Sequence, residues 1–430
     1  MTDTIFAVSS GSPPAAIAVV RISGPRANNA VARLMKRVPG PRVPVLRSLR
    51  DPTTGELLDQ ALVLRFDAPA TATGEDLVEL HLHGGRAVVA AVLGALAGID
   101  GLREAQAGEF TRQALTNGRI DLTEAEGLGD LLAAETESQR RAAITAVEGA
   151  IGRMVDGWST RTVALSARVE AQIDHSDEDD VGDEGDLPEI RREMAALASD
   201  IGKVLAEPPV ERLRDGIRVV LAGPPNSGKS TLLNRLVGRD AAIVSPIAGT
   251  TRDRIEVPVS RSGIAYLFTD TAGLRAPGDD AIEEIGMARA REAVDGADIL
   301  LWLGDDPPPA LDGPVKLALY PRSDQPGRGD ARDRLALSAE TGQGIEDLWN
   351  AIADVAKSRL PTLDRPALNA RQRMLAAEAH HWLETGLGEH DLILLAESLR
   401  AARGAFDRIT GRGDVEAMLD SLFSRFCIGK

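Results

Sequence analysis

The 430-residue chain has almost no cysteine: Cys427 stands alone. One thiol excludes an internal disulfide framework and suits a reducing compartment. Long apolar runs are missing as well. No stretch approaches the ~18 uncharged residues that a bilayer requires, so no membrane-spanning helix is expected. The opening MTDTIFAVSSGSPP has no basic segment followed by an apolar run, so no secretory leader is expected and a cytoplasmic location is. Basic charge is also short: 65 Asp and Glu stand against 49 Lys and Arg, a formal charge of -16. A dedicated nucleic-acid binder carries a basic footprint. Any RNA contact must therefore use a local patch, or a partner must supply the charge.

What is present, 43% hydrophobic and 27% charged residues, is the composition of a globular protein with two to four cores. Residues 1–118 read as a small α/β domain. AIAVVRISG alternates, placing Ile17, Val19 and Arg21 on one face, and ALVLRF and LVELHLHGG read as further strands. A charge facing inward beside Ile17 and Val19 would need a partner or ligand. Residues 119–213 read as helical: Ile144, Val147, Ile151, Met154, Val155, Trp158, Thr162 and Leu165 recur on one face of a single long helix. The run Asp177 to Glu189, with eight acidic residues, reads as a solvated loop or as a docking surface for a basic partner. Residues 214–361 alternate short apolar strands with helices, as a mostly parallel sheet does. Residues 362–430 are helical again, with Leu392, Leu395, Leu399, Ala402 and Phe406 in phase. The expected architecture is a multidomain α/β plus α protein, with the parallel α/β unit inserted into one helical domain.

GPPNSGKS, Gly223 to Ser230, satisfies G-x-x-x-x-G-K-[ST] between the strand RVVLA and the helix TLLNRLV. Its glycines turn backbone N–H groups toward phosphate. Lys229 supplies a point charge to the terminal phosphates, Ser230 a hydroxyl for Mg²⁺, and the helix N-terminus its dipole. Asp270 to Gly273, DTAG, closes the strand IAYLFT; an acid there holds Mg²⁺ through water and a glycine N–H senses the γ-phosphate. Between them lies GTTRD, Gly249 to Asp253, where a threonine completes the Mg²⁺ shell. This order marks a switch-type P-loop NTPase. Guanine is expected over adenine: Asp324 can accept from guanine N1 and its amine, although Pro321-Arg322-Ser323-Asp324 replaces the usual Asn-Lys-x-Asp, and Arg322 is expected to stack on the base. Ser338, Ala339 and Glu340 fit the last base-contacting loop. Glu79 shares a strand face with His81 and His83, which reads as a solvated face, a metal site or the partner of a ligand.

With these residues in hand, the chain resembles the MnmE (TrmE) family of tRNA-modifying GTPases. The segments that carry the likeness are VRISG, GEDLVELHLHGG, GEFTRQALTNGRIDLTEAE, GPPNSGKSTLLN, AAIVSPIAGTTRD, DTAGLR and FCIGK, in family order across almost the whole chain. The resemblance implies an N-terminal folate-binding and dimerisation domain, a helical domain, and an inserted Ras-like G domain. It implies a tetrahydrofolate derivative, 5-formyl or 5,10-methylene, held by Arg21, Glu79, Arg119 and Lys430, with Cys427 as a functional thiol; a prenylation site or an incidental thiol is the alternative reading of that cysteine. GTP contacts are implied at Asn226, Ser227, Gly228, Lys229, Ser230 and Thr231. They continue at Ser245, Pro246, Ile247, Ala248, Gly249, Thr250 and Thr251, and at Asp270, Thr271, Ala272 and Gly273.

Mg²⁺ falls to Ser230 and Thr251, and K⁺ to Asn226, Ser245, Ile247 and Thr250. Chemistry falls to Glu283 (Glu284 as the fallback), Thr250, Asp270 and Cys427. The implied activity is K⁺-stimulated GTP hydrolysis by a homodimer. It works with a flavoprotein of the MnmG (GidA) type, in a heterotetramer, to add a carboxymethylaminomethyl or aminomethyl group to the wobble uridine of tRNA. A regulatory GTPase of ribosome assembly is the runner-up, and a folate enzyme without tRNA the third reading.

Overall fold

The computed structural model describes residues 3–175, 186–238, 256–270, 293–310, 312–326, 330–362, 366–413, 419, 422–423, 426 and 428–429. The chain forms two compact units: Met1–Gly129, Val147–Val155 and Asp407–Lys430 make one, Asp130–Ala146 and Asp156–Phe406 the other.

The first unit is built on a six-stranded sheet of order β3-β4-β5-β2-β1-β6. Its strands are β1 (Thr4–Val8), β2 (Ile17–Ser23), β3 (Val45–Arg50), β4 (Leu57–Phe66), β5 (Leu77–His83) and β6 (Leu102–Glu104). All neighbours are antiparallel except β1 and β6. The alternation of β2 is as expected, but its inward face is the other one. Ala18, Val20 and Ile22 are buried, against Val31 and Leu34 of the helix Ala27–Leu34 and Val92 and Leu96 of the helix Arg86–Ala97. Each Val, Leu or Ile among them contributes ~1.5–3 kcal/mol by leaving water. Ile17 is 58% exposed, so Val19 and Arg21 lie on the less buried face. That face is covered in part, where Ile5 and Ala7 meet Ala105 and Phe110.

The second unit holds the expected parallel sheet, order β12-β11-β10-β7-β9-β8. These are β7 (Ile217–Ala222), β8 (Glu256–Arg261), β9 (Ile264–Asp270), β10 (Ile299–Trp302), β11 (Val315–Tyr320) and β12 (Leu335–Ala336). Only the β8–β9 pair of these is antiparallel. On one face Val219, Leu221 and Phe268 pack with Leu232, Leu348 and Trp349; on the other Val220 and Leu300 pack with Ala297. Tyr266, Phe268 and Trp349 form an edge-on aromatic cluster with centroids 5.5 and 5.6 Å from Trp349.

Most of the remaining described chain is helical. The expected single helix through Ile144 and Leu165 is two, Glu137–Val147 and Ala150–His175. Gly149, at φ 76°, breaks it, and a side chain there would meet the Glu124 carboxylate at 2.9 Å. Leu395, Leu399, Ala402 and Phe406 are buried as their spacing predicts. Helix Ala370–Gly388 starts at a capping box in which Asn369 and Gln372 satisfy each other's backbone N–H groups. Of the acidic run, residues 176–185 lie outside the described residues; Asp186 is held by Arg168 at 2.5 and 2.6 Å and Glu189 pairs with Arg192. No helix among the described residues is long and apolar enough to cross a membrane.

Candidate functional site

The parallel strands end on a common edge, and that edge gathers the phosphate and base motifs. Ligands of open α/β sheets bind there, where the strand order reverses; β7 has β9 on one side and β10 on the other. Gly223, Asn226 and Gly228 take φ values of 151°, 59° and 96° in the loop after β7. Positive φ values of this kind let a loop turn N–H groups toward an anion. No side chain caps the helix Lys229–Leu236 that follows, so its first-turn N–H groups are available to an anion. Lys229 is buried, and its Nζ donates to the carbonyls of Gly223 at 3.0 Å and Pro224 at 2.8 Å, folded over the loop it would share with phosphate.

Ser230 Oγ donates to Asp270 Oδ2 at 2.6 Å. A serine hydroxyl and a buried carboxylate so close form the oxygen-rich corner that a hard divalent cation prefers. Thr231 follows within the same helix. Arg322, at φ 59°, reaches the Asn226 carbonyl at 2.6 Å. That bond braces the phosphate loop, a contact the sequence did not name, and it leaves the expected stacking of Arg322 on a base untouched. Ser323 N–H donates to Leu337 at 3.1 Å and Leu337 N–H to Tyr320 at 3.0 Å, which joins the Asp324 loop to that of Ser338, Ala339 and Glu340. Ser338 is buried, and its hydroxyl accepts from Thr341 N–H at 3.1 Å. Asp324 is exposed at the rim. Ser245, Pro246, Ile247, Ala248, Gly249, Thr250, Thr251, Thr271, Ala272, Gly273 and Glu283 lie outside the described residues, as do Cys427 and Lys430.

A second cluster lies on the face of the antiparallel sheet. Arg21 and Glu79 are ladder partners on β2 and β5. The guanidinium donates twice to Glu79 Oε1, at 2.9 and 3.2 Å, with both side chains about one-fifth exposed. Phe110 lies under it, 5.8 Å from ring centroid to Arg21 Cζ, a contact not foreseen from sequence. His81 Nε2 is 3.5 Å from Glu79 Oε2, whereas His83 turns to Asp59 at 2.7 Å. The two histidines therefore serve different acids, and among the described residues no three His, Cys, Asp or Glu side chains are grouped to hold a metal ion. Arg119 sits apart: its Nε donates to the Thr71 carbonyl at 3.1 Å, and no described hydrogen bond or ion pair joins it to Arg21 or Glu79.

The far end of the chain meets this sheet. Ser9 Oγ donates to the Gly429 carbonyl at 2.8 Å and Ile428 bridges to Ala107. Gly429 has φ 96°, and a Cβ there would stand 2.1 Å from the Val8 carbonyl oxygen. Gly108 is likewise pressed against Phe423. Val8 is one position from Ala7, the ladder partner of Arg21. The loop that receives the tail is held by Glu109, whose carboxylate takes two Arg103 bonds of 2.5 and 2.9 Å and the Gln106 N–H at 2.8 Å. Burial pushes the Glu109 carboxyl up, but these donors outweigh it and hold it below the ordinary glutamate range.

A family model described as the MnmE helical domain matches residues 122–427, and one described as the GTP-binding protein TrmE N-terminus matches residues 4–119. Three relatives carry the name tRNA modification GTPase MnmE. One from Rhizorhabdus wittichii is 54% identical over 431 residues, covering 100% of this chain and 97% of its own. One from Zymomonas mobilis is 52% identical over 438 residues, covering 99% and 100%. One from Erythrobacter litoralis is 53% identical over 430 residues, covering 100% of both.

Proposed function

The chain belongs to the MnmE family of tRNA modification GTPases, and from that premise we propose how its parts divide the work. It is a GTP hydrolase that acts in tRNA modification. In our reading the product is a carboxymethylaminomethyl or aminomethyl group on the wobble uridine. It is made in the cytoplasm with a flavoprotein of the MnmG type, in a heterotetramer built on a homodimer, from a one-carbon unit of a tetrahydrofolate derivative.

The observation that carries this reading is the seating of Ile428 and Gly429 against Ala107, Val8 and Ser9, beside the Arg21–Glu79 pair. A plain GTPase switch has no use for a tail docked on a different sheet. A carboxylate and guanidinium set side by side over an aromatic ring can pair with the amidine-like edge of a pterin and support its ring. In this reading Arg119 and Lys430 complete the folate site, and Cys427 is its thiol. The exposed apolar face of the same sheet, with Leu46 opposite Leu62 in register and Ile17 beyond, supports dimerisation there.

For hydrolysis, the loop N–H groups and Lys229 would bind the phosphates, and Ser230 with Thr251 would hold Mg²⁺, with Asp270 behind them. The ion would neutralise charge developing on the γ-phosphate. Asn226, Ser245, Ile247 and Thr250 would hold K⁺, and Glu283, with Thr250, would place the attacking water. Glu283→Ala is expected to remove turnover and leave nucleotide binding intact; near-normal turnover rejects that role.

The helical stretches 119–213 and 362–430 are read as one domain interrupted by the G domain, 214–361, with 1–118 in front. Bonds between the flanks support this: Arg191 reaches the Glu389 carbonyl at 2.5 Å, and Arg373 those of Leu205 and Glu207 at 2.6 and 2.7 Å. The whole reading is tested by mass spectrometry of tRNA nucleosides from cells lacking the gene. Loss of the wobble-uridine derivatives, restored by the intact chain but not by one lacking residues 427–430, is the expected result. An unchanged profile overturns it.

A further inference from the structure

The acidic chain holds one long stretch without acid. From Thr4 to Arg50 there is no Asp or Glu, and eight Lys or Arg fall between Arg21 and Arg50. Two of these are accounted for: Arg21 pairs with Glu79, and Arg26 caps the Asp100 carbonyl at 2.9 Å. The other six, Arg33, Lys36, Arg37, Arg42, Arg47 and Arg50, enter no ion pair among the described residues. Elsewhere many arginines are matched to acids, as in Arg65–Asp67, Arg103–Glu109, Arg168–Asp186 and Arg212–Asp298, and those that end on backbone carbonyls, such as Arg119 and Arg322, are scattered along the chain.

The fold brings Arg33, Lys36, Arg37 and Arg47 together, with Arg42 and Arg50 toward the two ends of β3. Arg33 ends the helix Ala27–Leu34, Lys36 and Arg37 follow it, and Arg47 and Arg50 lie on β3, the edge strand. Arg47 Nε donates to the Arg37 carbonyl at 3.0 Å, which ties strand to helix end. Arg42 and Arg50 are also fixed by backbone carbonyls, those of Ala70 at 2.5 Å and Gly55 at 2.9 Å. These guanidiniums are ordered without being neutralised. That is the preparation a phosphate contact needs, since neutral acceptors fix the fork and leave its charge for an anion.

We propose that this ridge, the end of the helix Ala27–Leu34 with strand β3, is where the chain itself grips the phosphate backbone of its tRNA. The proposal rests on the tRNA-modification reading for its choice of RNA. Strand β3 is three places from β2 in the sheet, about 14 Å at ordinary strand spacing, so RNA held on the ridge can offer a base near Arg21 and Glu79. The contact is with backbone, so it positions the tRNA and does not read its sequence.

The test uses the full chain with Arg33→Gln, Lys36→Gln and Arg37→Gln combined, and unmodified tRNA whose anisotropy is followed between 50 and 200 mM KCl. Loss of about three phosphate contacts should flatten the slope of log affinity against log salt by about two to three and weaken binding about tenfold or more at ~0.1 M. GTP turnover and circular dichroism should match the parent. Should the triple variant fold poorly, Lys36→Gln with Arg37→Gln, both exposed and beyond the helix, repeats the test with about two contacts removed.

An unchanged slope and affinity overturn the proposal and leave these charges as guards of an edge strand. A parent chain that retains no tRNA, or that prefers phosphatidylglycerol vesicles to tRNA, overturns it as well. The broader reading fails separately, by an unchanged wobble-uridine profile in cells that lack the gene.

Discussion

The two six-stranded sheets organise chemistry in opposite ways. The parallel one is packed on both faces by Val219, Leu221, Val220 and Leu300, so no side chain in its middle is free to meet a ligand. Its candidate ligand groups stand at strand ends, Lys229 after β7 and Asp270 at the tip of β9. The mostly antiparallel one buries a single face fully, and its candidate pair, Arg21 and Glu79, stands mid-strand on the other face. An end-of-strand site is assembled by local loops and announces itself as a motif. A mid-strand site depends on register across strands and on whatever later segment covers it.

That contrast can be broken from either side. The largest effect is expected from Lys229→Ala, which removes a charged donor and should lower GTP affinity by ~100-fold or more in a fluorescent-nucleotide titration. The first unit should keep its melting behaviour; equal affinity would mean the phosphate site is held by backbone alone. Next comes Gly429→Ala, which sets a methyl group 2.1 Å from the Val8 oxygen and forces the tail off the sheet. Wobble-uridine modification should fall about tenfold or more while GTP binding is unchanged, because a positive φ and a backbone clash together cannot be relieved locally. Full modification would show that the docked tail is dispensable.

A smaller effect, about three- to tenfold in GTP affinity, is expected of Arg322→Ala, since a bond to charge is lost at an exposed place. An unaltered titration would show the brace to be idle.

The smallest concerns acid. The Glu109 carboxyl is held below its usual 4.5, so its contribution is complete above that value and is lost as pH falls through the lowered one. Near-ultraviolet dichroism under mild denaturant, followed from pH 6 to 3, should report a steeper loss of stability of the first unit in the parent than in Glu109→Gln, whose stability is lower but flatter in that window. Parallel pH profiles would remove Glu109 from the account.

Legibility followed the same divide. GPPNSGKS and DTAG named Lys229, Ser230 and Asp270, and the structure brings the last two to 2.6 Å. Strand periodicity named β2, β4 and β5 in the first unit, missed β1, β3 and β6, and chose the wrong inward face for β2, because Ile17 and Val19 are as apolar as Ala18 and Val20. Only the register of β2 against β5 shows which set faces the helices. Phe110 under Arg21 had no signal, being on a helix far along the chain. The break at Gly149 had one, a glycine in a helical run, which the apolar spacing across it concealed. The bond of Arg322 to the Asn226 carbonyl was not legible, because that partner is a backbone group without a sequence signature.

The bond from Ser9 to Gly429 joins residues 420 positions apart. At ribosomal speeds of ~5–20 residues per second, roughly 20–80 s pass between the appearance of one partner and the other. Through that interval the first strand exists without the segment that lies on it, and the GTP-binding unit, contained within Asp130–Ala146 and Asp156–Phe406, is complete for only the last ~1–5 s of it. A nascent chain thus completes its GTP-binding unit before the tail that lies on its first sheet, and a translation product that stops between Phe406 and Ile428 inherits that half-competence.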